Sequence, residues 1–416
     1  MKKSAMIFLI RLGNKCKPIL IRLLPIGLLR EAKKIIADKT MQSLGDDKLS
    51  FDRKAYKDGM NIIGSVRSEI GLGQSCRLVV REIEQSAIPF SVYNYEQFSK
   101  IRNADDSCDD IITNILPYNI NIIHINPYEL PFAYINLGRD IWDKRYNIAF
   151  WLWELETFPP EWLTSLLLVD EIWTPSEFAS AAIRKITDKP VVTVPYALTA
   201  PTADKYDRVY FGLSADICLF LCMYDCSSTI ERKNPIGVIR AFKRAFGNDT
   251  SQVCLVIKLN NPQEKDIEII NRELEGYQNI SIIADILTKI QINSLIKCCD
   301  VVVSLHRAEG FGLVPAEAML LGTAVISTNW SSTSEFMTDD TVCLVDYEFC
   351  EIKEDVGSYK KGWRWANPNV EQAAEYMRKL YVEPKYRSEL AERAKLHIKS
   401  LLSFDNAAER IKSRIE

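Results

Sequence analysis

Arg307-Ala-Glu-Gly-Phe-Gly-Leu-Val-Pro-Ala-Glu-Ala-Met319 follows the short β-branched run Asp300-Val-Val-Val-Ser-Leu305 and leads into the stop Leu321-Gly322. The run reads as a buried parallel strand, and residues 313–321 read as a helix. A strand therefore feeds a helix through a turn flanked by Gly310 and Gly312. There the backbone can approach a ligand closely, and the first helical N–H groups and the positive end of the helix dipole point at it. Such a turn suits an anion. Glu309 at the turn and Glu317 one to two helical turns further on can face one crevice, with room between them for the hydroxyls of a sugar or a ribose.

Outward from this unit, short strands alternate with helices, the pattern of an α/β protein built on parallel sheets. Strands are expected at 60–64, 91–94, 119–125, 147–153, 171–174 and 191–194, then at 217–224, 253–257, 280–283, 300–305, 323–327 and 342–345. Helices are expected at 74–86, 161–168, 176–186, from Pro235 onward, and at 266–275, 289–297, 313–321, 370–381 and 386–415. Residues 105–115 read as helix-like or flexible. Residues 195–210 have no period and read as a linker between two halves, while 346–368 read as irregular and aromatic, with Trp363 and Trp365.

With 416 residues there is room for two domains, and 47% hydrophobic residues, 26% charged residues and a net charge of −3 describe a globular chain without the basic balance of a nucleic-acid binder. Eleven cysteines without a framework pattern suggest reduced thiols and a cytoplasmic location. Cys218, Cys222 and Cys226 lie along one expected strand and spread over about 25 Å at ~3.3 Å per residue, so they read as small core residues rather than as ligands of one metal. Residues 1–40 carry ten Lys/Arg against two Asp/Glu, and the remainder has 42 against 53. No stretch there offers ~20 apolar residues to cross a bilayer. Two readings stand for this basic segment: an interfacial arm at the inner face of a membrane, or helices packed on the first domain or on a partner. Residues 45–53 read as a polar linker.

The Glu309-x7-Glu317 spacing, inside Glu-Gly-Phe-Gly-Leu-Val-Pro-Ala-Glu-Ala, resembles the signature of the retaining GT-B glycosyltransferases, in particular family 4 (glycosyl transferases group 1) of bacterial polysaccharide biosynthesis. The resemblance implies two Rossmann-like domains facing a central cleft. Residues 1–50 would form a basic amphipathic segment, 51–200 the acceptor domain, 201–385 the nucleotide-sugar donor domain and 386–416 a helix crossing back. It implies that Glu309 meets donor-sugar hydroxyls, Glu317 the ribose, and the Gly310-Phe311-Gly312-Leu313 turn the diphosphate. The chain contains no Asp-x-Asp, the usual metal clamp of the other main glycosyltransferase architecture. No metal and no cofactor is therefore expected, and protein cations would neutralise the diphosphate. Arg232 and Lys233 stand just before a helix announced by Asn234-Pro235, where two cations oppose the dipole unless an anion is present. Lys258, at the end of strand 253–257, reads as a third cation of the pocket or as a solvated strand end.

In the first half, Ser68-Glu-Ile-Gly-Leu-Gly73 resembles the family's glycine-rich loop over the donor phosphates and the acceptor, which singles out Gly71 and Gly73; a plain tight turn is the alternative. Family members often show His-x-His where this chain has His124-Ile-Asn126. Asn126 can hydrogen-bond a sugar but cannot carry a proton, and His124 reads equally as a core histidine. In Trp151-Leu-Trp-Glu-Leu-Glu-Thr-Phe-Pro-Pro160, Trp153, Glu154 and Glu156 either line the acceptor side or belong to core and surface. Ser332 and Glu335 fall in a loop that covers the donor in family members. The implied activity is retaining, metal-independent transfer of a hexose from a nucleotide-diphosphate sugar to a saccharide or lipid-linked saccharide. The alternative is a non-catalytic nucleotide-sugar-binding subunit of a polysaccharide-assembly complex.

Overall fold

Among the described residues twelve short, mostly β-branched and aliphatic strands pair into two parallel sheets of six, and the central strands of each are buried on both faces, as parallel sheets covered by helices are. The computed structural model describes residues 35, 37, 39–42, 44, 48–96, 102–247 and 251–415. The first sheet contains β1 (Lys57–Gly64), β2 (Phe90–Asn94), β3 (Tyr118–His124), β4 (Tyr146–Phe150), β5 (Glu171–Thr174) and β6 (Val191–Thr193). Helices α1 (Gly71–Gln85), α2 (Leu130–Leu137) and α3 (Glu177–Arg184) accompany it. The second sheet contains β7 (Cys218–Asp225), β8 (Val253–Asn260), β9 (Ile280–Ile283), β10 (Val301–Ser304), β11 (Ala324–Thr328) and β12 (Cys343–Val345). With it go α4 (Ile230–Lys233), α5 (Pro235–Phe246), α6 (Glu264–Leu274), α7 (Lys289–Cys298) and α8 (Leu313–Leu321). An antiparallel hairpin, β13 (Tyr347–Glu351) and β14 (Arg364–Pro368), precedes α9 (Val370–Val382), α10 (Pro384–Leu401) and α11 (Phe404–Ile415).

Strand order locates the crevices. The sheets run β2-β1-β3-β4-β5-β6 and β12-β11-β10-β7-β8-β9, so the order reverses at β1/β3 in the first and at β7/β10 in the second. Beyond the carboxyl ends of such strands the following loops diverge and leave a ligand crevice. The loops at these two points are 65–70 and 125–129 in the first sheet, and 226–229 and 305–312 in the second. Helix α11 packs back on α1, and Arg414 donates to both oxygens of Glu171 at 2.8 and 2.5 Å, so the chain ends on the first half.

Several expectations are corrected. Helix α1 begins at Gly71 rather than at 74, so Gly71 and Gly73 lie in its first turn; a Cβ on Gly73 would sit 2.0 Å from the Ser68 carbonyl oxygen. Residues 160–168 wind as a 3-10 helix, and 105–115 hold only a 3-10 turn at Asp109–Ile111. Helix α2 gave no signal because its eight residues are almost all apolar and show no period. The final helix breaks at Leu402-Ser403. In the basic segment, Ala37, Thr40, Met41 and Leu44 are buried, the three apolar ones in the cluster that contains Ile63, Ile123 and Trp142. This part is therefore domain core, as the packing alternative has it, because its apolar side chains complete one face of the first sheet; residues 1–34 lie outside the described ones. Cys218 and Cys222 are buried in the second core, burial pushing both thiols up to about 12.

Candidate active site

The second sheet's reversal point gathers the charges. Asn234, in a left-handed conformation (φ 52°), ends α4 and starts α5, accepting from Gly237 N–H at 3.1 Å and donating to the Leu305 carbonyl at 2.8 Å. This junction pins the α4 cations against the loop after β10. Arg232 is buried and donates to Ala308 O (2.8 Å) and Ser228 Oγ (2.6 Å); its Nη1 lies 3.3 Å from Glu309 Oε2. Its Nε is buried with no partner among the described residues. Lys233 Nζ donates to Glu309 Oε1 at 2.5 Å. Burial alone would lift the Glu309 carboxyl, but the Lys233 ammonium and the Arg232 guanidinium outweigh it and hold it down at about 2. Beneath it His306, buried between Ser304 Oγ (3.0 Å) and Thr333 Oγ1 (3.2 Å), is pulled by burial to about 4 and is neutral.

The turn that carries Glu309 opens α8. Gly312 sits at φ 94°, where a Cβ would come 2.3 Å from Thr333 Cγ2, so only glycine fits and the helix starts with no side-chain cap. Phe311 packs edge-on against Tyr196 (ring centroids 4.7 Å) and against Phe336 (5.5 Å). Glu317, buried on α8, accepts from Lys289 Nζ at 2.5 Å. The result is an uncapped helix start flanked by two carboxylates, each held by a cation, at the carboxyl ends of β7 and β10.

Residues 226–397 match the family described as glycosyl transferases group 1. This segment is similar to a glycosyl transferases group 1 domain. Solved structures extend the likeness beyond it. HepE of Anabaena, in complex with UDP and glucose, superposes with a TM-score of 0.61 at 13% identity, covering 86% of this chain and 99% of that one. Sucrose-phosphate synthase of Thermosynechococcus elongatus gives 0.61 at 12% identity, covering 86% and 98%. A glycosyltransferase of Rickettsia africae gives 0.62 at 11% identity, also covering 86% and 98%. The two-sheet architecture is thus GT-B. No curated protein sequence matches the chain.

Other residues singled out by the sequence are placed variously around the matched segment. Glu154 of the first half comes to the cluster, its Oε1 3.9 Å from Arg232 Nη2. Lys258 is fully buried, and its ammonium donates to Leu259 O (2.6 Å) and Asp285 O (2.9 Å), so it stays with the carbonyls around β8 and does not join Arg232 and Lys233. Burial brings it down to about 8. His124 stacks on Phe150 and meets Ser75 Oγ at 2.7 Å, with Tyr196 hydrogen-bonded to the same hydroxyl. Burial takes it to about 4, which fits a neutral core histidine. Asn126 Oδ1 accepts from Leu152 N–H at 3.1 Å and braces the β4 loop. Trp153 is buried among Phe158, Trp162, Tyr359 and Trp363 instead of presenting a face to the cleft, and Glu156 pairs with Arg364.

Ser332 Oγ donates to the Glu309 carbonyl at 2.7 Å, and Glu335 accepts from Glu177 N–H (2.9 Å) and Phe178 N–H (2.7 Å) at the start of α3. Three participants lie outside the residues that the sequence singled out for the site. Ser176, recognisable as a helix cap, also donates to Gly310 O at 2.8 Å across the cleft. Lys289 was one lysine at a helix start, and Tyr359 lies in the stretch that looked irregular. Among the described residues no group of three or more His, Cys, Asp or Glu is placed to hold a metal ion, and no helix is long and apolar enough to cross a membrane.

Proposed function

We propose that the chain is a retaining glycosyltransferase that moves a hexose from a nucleotide-diphosphate sugar to a saccharide or lipid-linked saccharide acceptor in polysaccharide assembly, without a metal. The observation that carries this is the meeting of Arg232, Lys233 and Glu309 beside the uncapped start of α8. As the glycosidic bond breaks, negative charge grows on the leaving β-phosphate. Cations and helical N–H groups already in place stabilise that charge without reorganising. Glu309 and Glu317 supply acceptors for sugar and ribose hydroxyls, and each is paired with a lysine that a bound donor can share. Retention follows if the acceptor attacks from the face of the departing phosphate, so that no enzymatic nucleophile is needed. The HepE complexes with UDP and glucose support a uridine nucleotide as the first donor to try.

The test is a panel of UDP-, GDP- and ADP-sugars, read as slow donor hydrolysis and as transfer to saccharide acceptors. At least one donor should be consumed, and activity should survive EDTA within about tenfold. Consumption of none opposes the enzymatic reading in favour of a binding subunit. A larger loss in EDTA that Mg²⁺ or Mn²⁺ restores opposes metal independence.

A further inference from the structure

The hairpin β13–β14 is tied to the second half: Ala366 N–H donates to Arg307 O at 3.0 Å, and Arg307 Nη1 donates to Asn367 Oδ1 at 2.9 Å. Its side chains, however, reach the first half, where three residues meet the three carboxylates of one stretch. Arg364 donates to Glu156 (3.0 and 2.9 Å), Lys360 lies 3.2 Å from Glu161, and Tyr359 Oη donates to Glu154 Oε2 at 3.1 Å. The first two pairs are solvent-exposed and weak. In the third the tyrosine is buried, packed against Trp153 at 5.6 Å and Trp365 at 6.1 Å, and Glu154 is partly buried. It also leads inward, because the other oxygen of Glu154 faces Arg232 at 3.9 Å.

That distance is long for a carboxylate beside a guanidinium, which ordinarily closes to about 2.7–2.9 Å and often with both oxygens. One oxygen of Glu154 is held by the phenol, so the carboxylate cannot turn both onto Arg232. We propose that Tyr359 is a positioning residue that restrains Glu154 and thereby keeps Arg232 available to the donor diphosphate. Without the phenol hydroxyl, Glu154 closes on Arg232 and competes with the phosphate oxygens for the same N–H groups. Because Tyr359 comes from one half and Glu154 from the other, the restraint exists only when the hairpin is docked across the cleft. The inference rests on the reading above that Arg232 meets the diphosphate.

Calorimetric binding of UDP, GDP and ADP to the full chain tests it, with thermal unfolding run on each variant. Tyr359→Phe is expected to weaken the diphosphate that binds by about tenfold, the scale of one charge-assisted hydrogen bond. Glu154→Gln, which removes the competing charge, is expected to tighten binding severalfold. The double variant should bind as Glu154→Gln does, a rescue that loss of a purely structural tyrosine would not show. Unchanged affinity in Tyr359→Phe, or a loss that Glu154→Gln does not relieve, overturns the proposal. If Tyr359→Phe does not fold, Glu154→Gln alone decides: weakening by tenfold would mean that Glu154 helps the anion to bind, against the proposal. Should the unaltered chain bind none of the three diphosphates, the donor-site reading itself falls, an outcome distinct from equal binding by wild type and Tyr359→Phe.

Discussion

Glu309 sits between two cations and over a neutral imidazole, and this arrangement gives it two measurable properties. The first is functional. A buried carboxylate that accepts from sugar hydroxyls leaves partners unpaired when truncated, so Glu309→Ala should lower transfer by about ten- to a hundredfold. Full activity with unchanged donor affinity would remove the role assigned to it. The second is a pH dependence. Its folded pKa of about 2 lies below the ordinary 4.5, so its contribution to stability is complete above about pH 4.5 and is lost as pH falls toward 2. A depression of this size corresponds to roughly 3 kcal/mol. Glu309→Gln should therefore be less stable at pH 7 and lose less stability on acidification to pH 3 than the unaltered chain. Parallel acid profiles in urea unfolding would show that the ion pairs do not hold the carboxyl down.

Among the elements, α3 shows a helix start served from both halves. Ser176 caps it from within, accepting from Ala179 N–H, and Glu335 accepts from Glu177 and Phe178 N–H from across the cleft. Glu335→Ala should leave those two amides without protein partners, cost about 1–2 kcal/mol, and speed their hydrogen exchange. Equal protection in the variant would show that the contact is incidental. What the sequence revealed and concealed follows the same division between local and distant partners. The strands of both sheets were readable because burial on both faces imposes β-branched runs such as Val301-Val-Val303, and Asn234-Pro235 and Ser176 announced helix starts through local capping chemistry. The Glu309–Glu317 unit was readable because its strand, turn and helix are contiguous. Tyr359 was not, since the hairpin that places it pairs Tyr347 with Pro368 and then docks on a stretch some two hundred residues earlier. Lys258 misled for the reverse reason: the strand runs on past it to Asn260, and two backbone carbonyls take its ammonium.

At the scale of the whole molecule, the basic segment divides where burial begins. Ala37, Met41 and Leu44 belong to the first core, so a deletion that reaches them removes packed apolar surface and should destabilise the fold. Residues 1–34 hold nine Lys/Arg against one Glu. Each cation that reaches an anionic leaflet gains on the order of 1 kcal/mol, an attraction screened within ~10 Å at 0.1 M salt. Ile7-Phe-Leu-Ile10 and Leu23-Leu24 add insertion energy that salt does not remove. The full chain is therefore expected to sediment with anionic vesicles, less at high salt but still detectably, and deletion of residues 1–34 should abolish this while donor hydrolysis continues. If the shortened chain unfolds or loses hydrolysis, the segment is structural. In that case its charge serves packing or a protein partner, and the membrane assignment is to be abandoned.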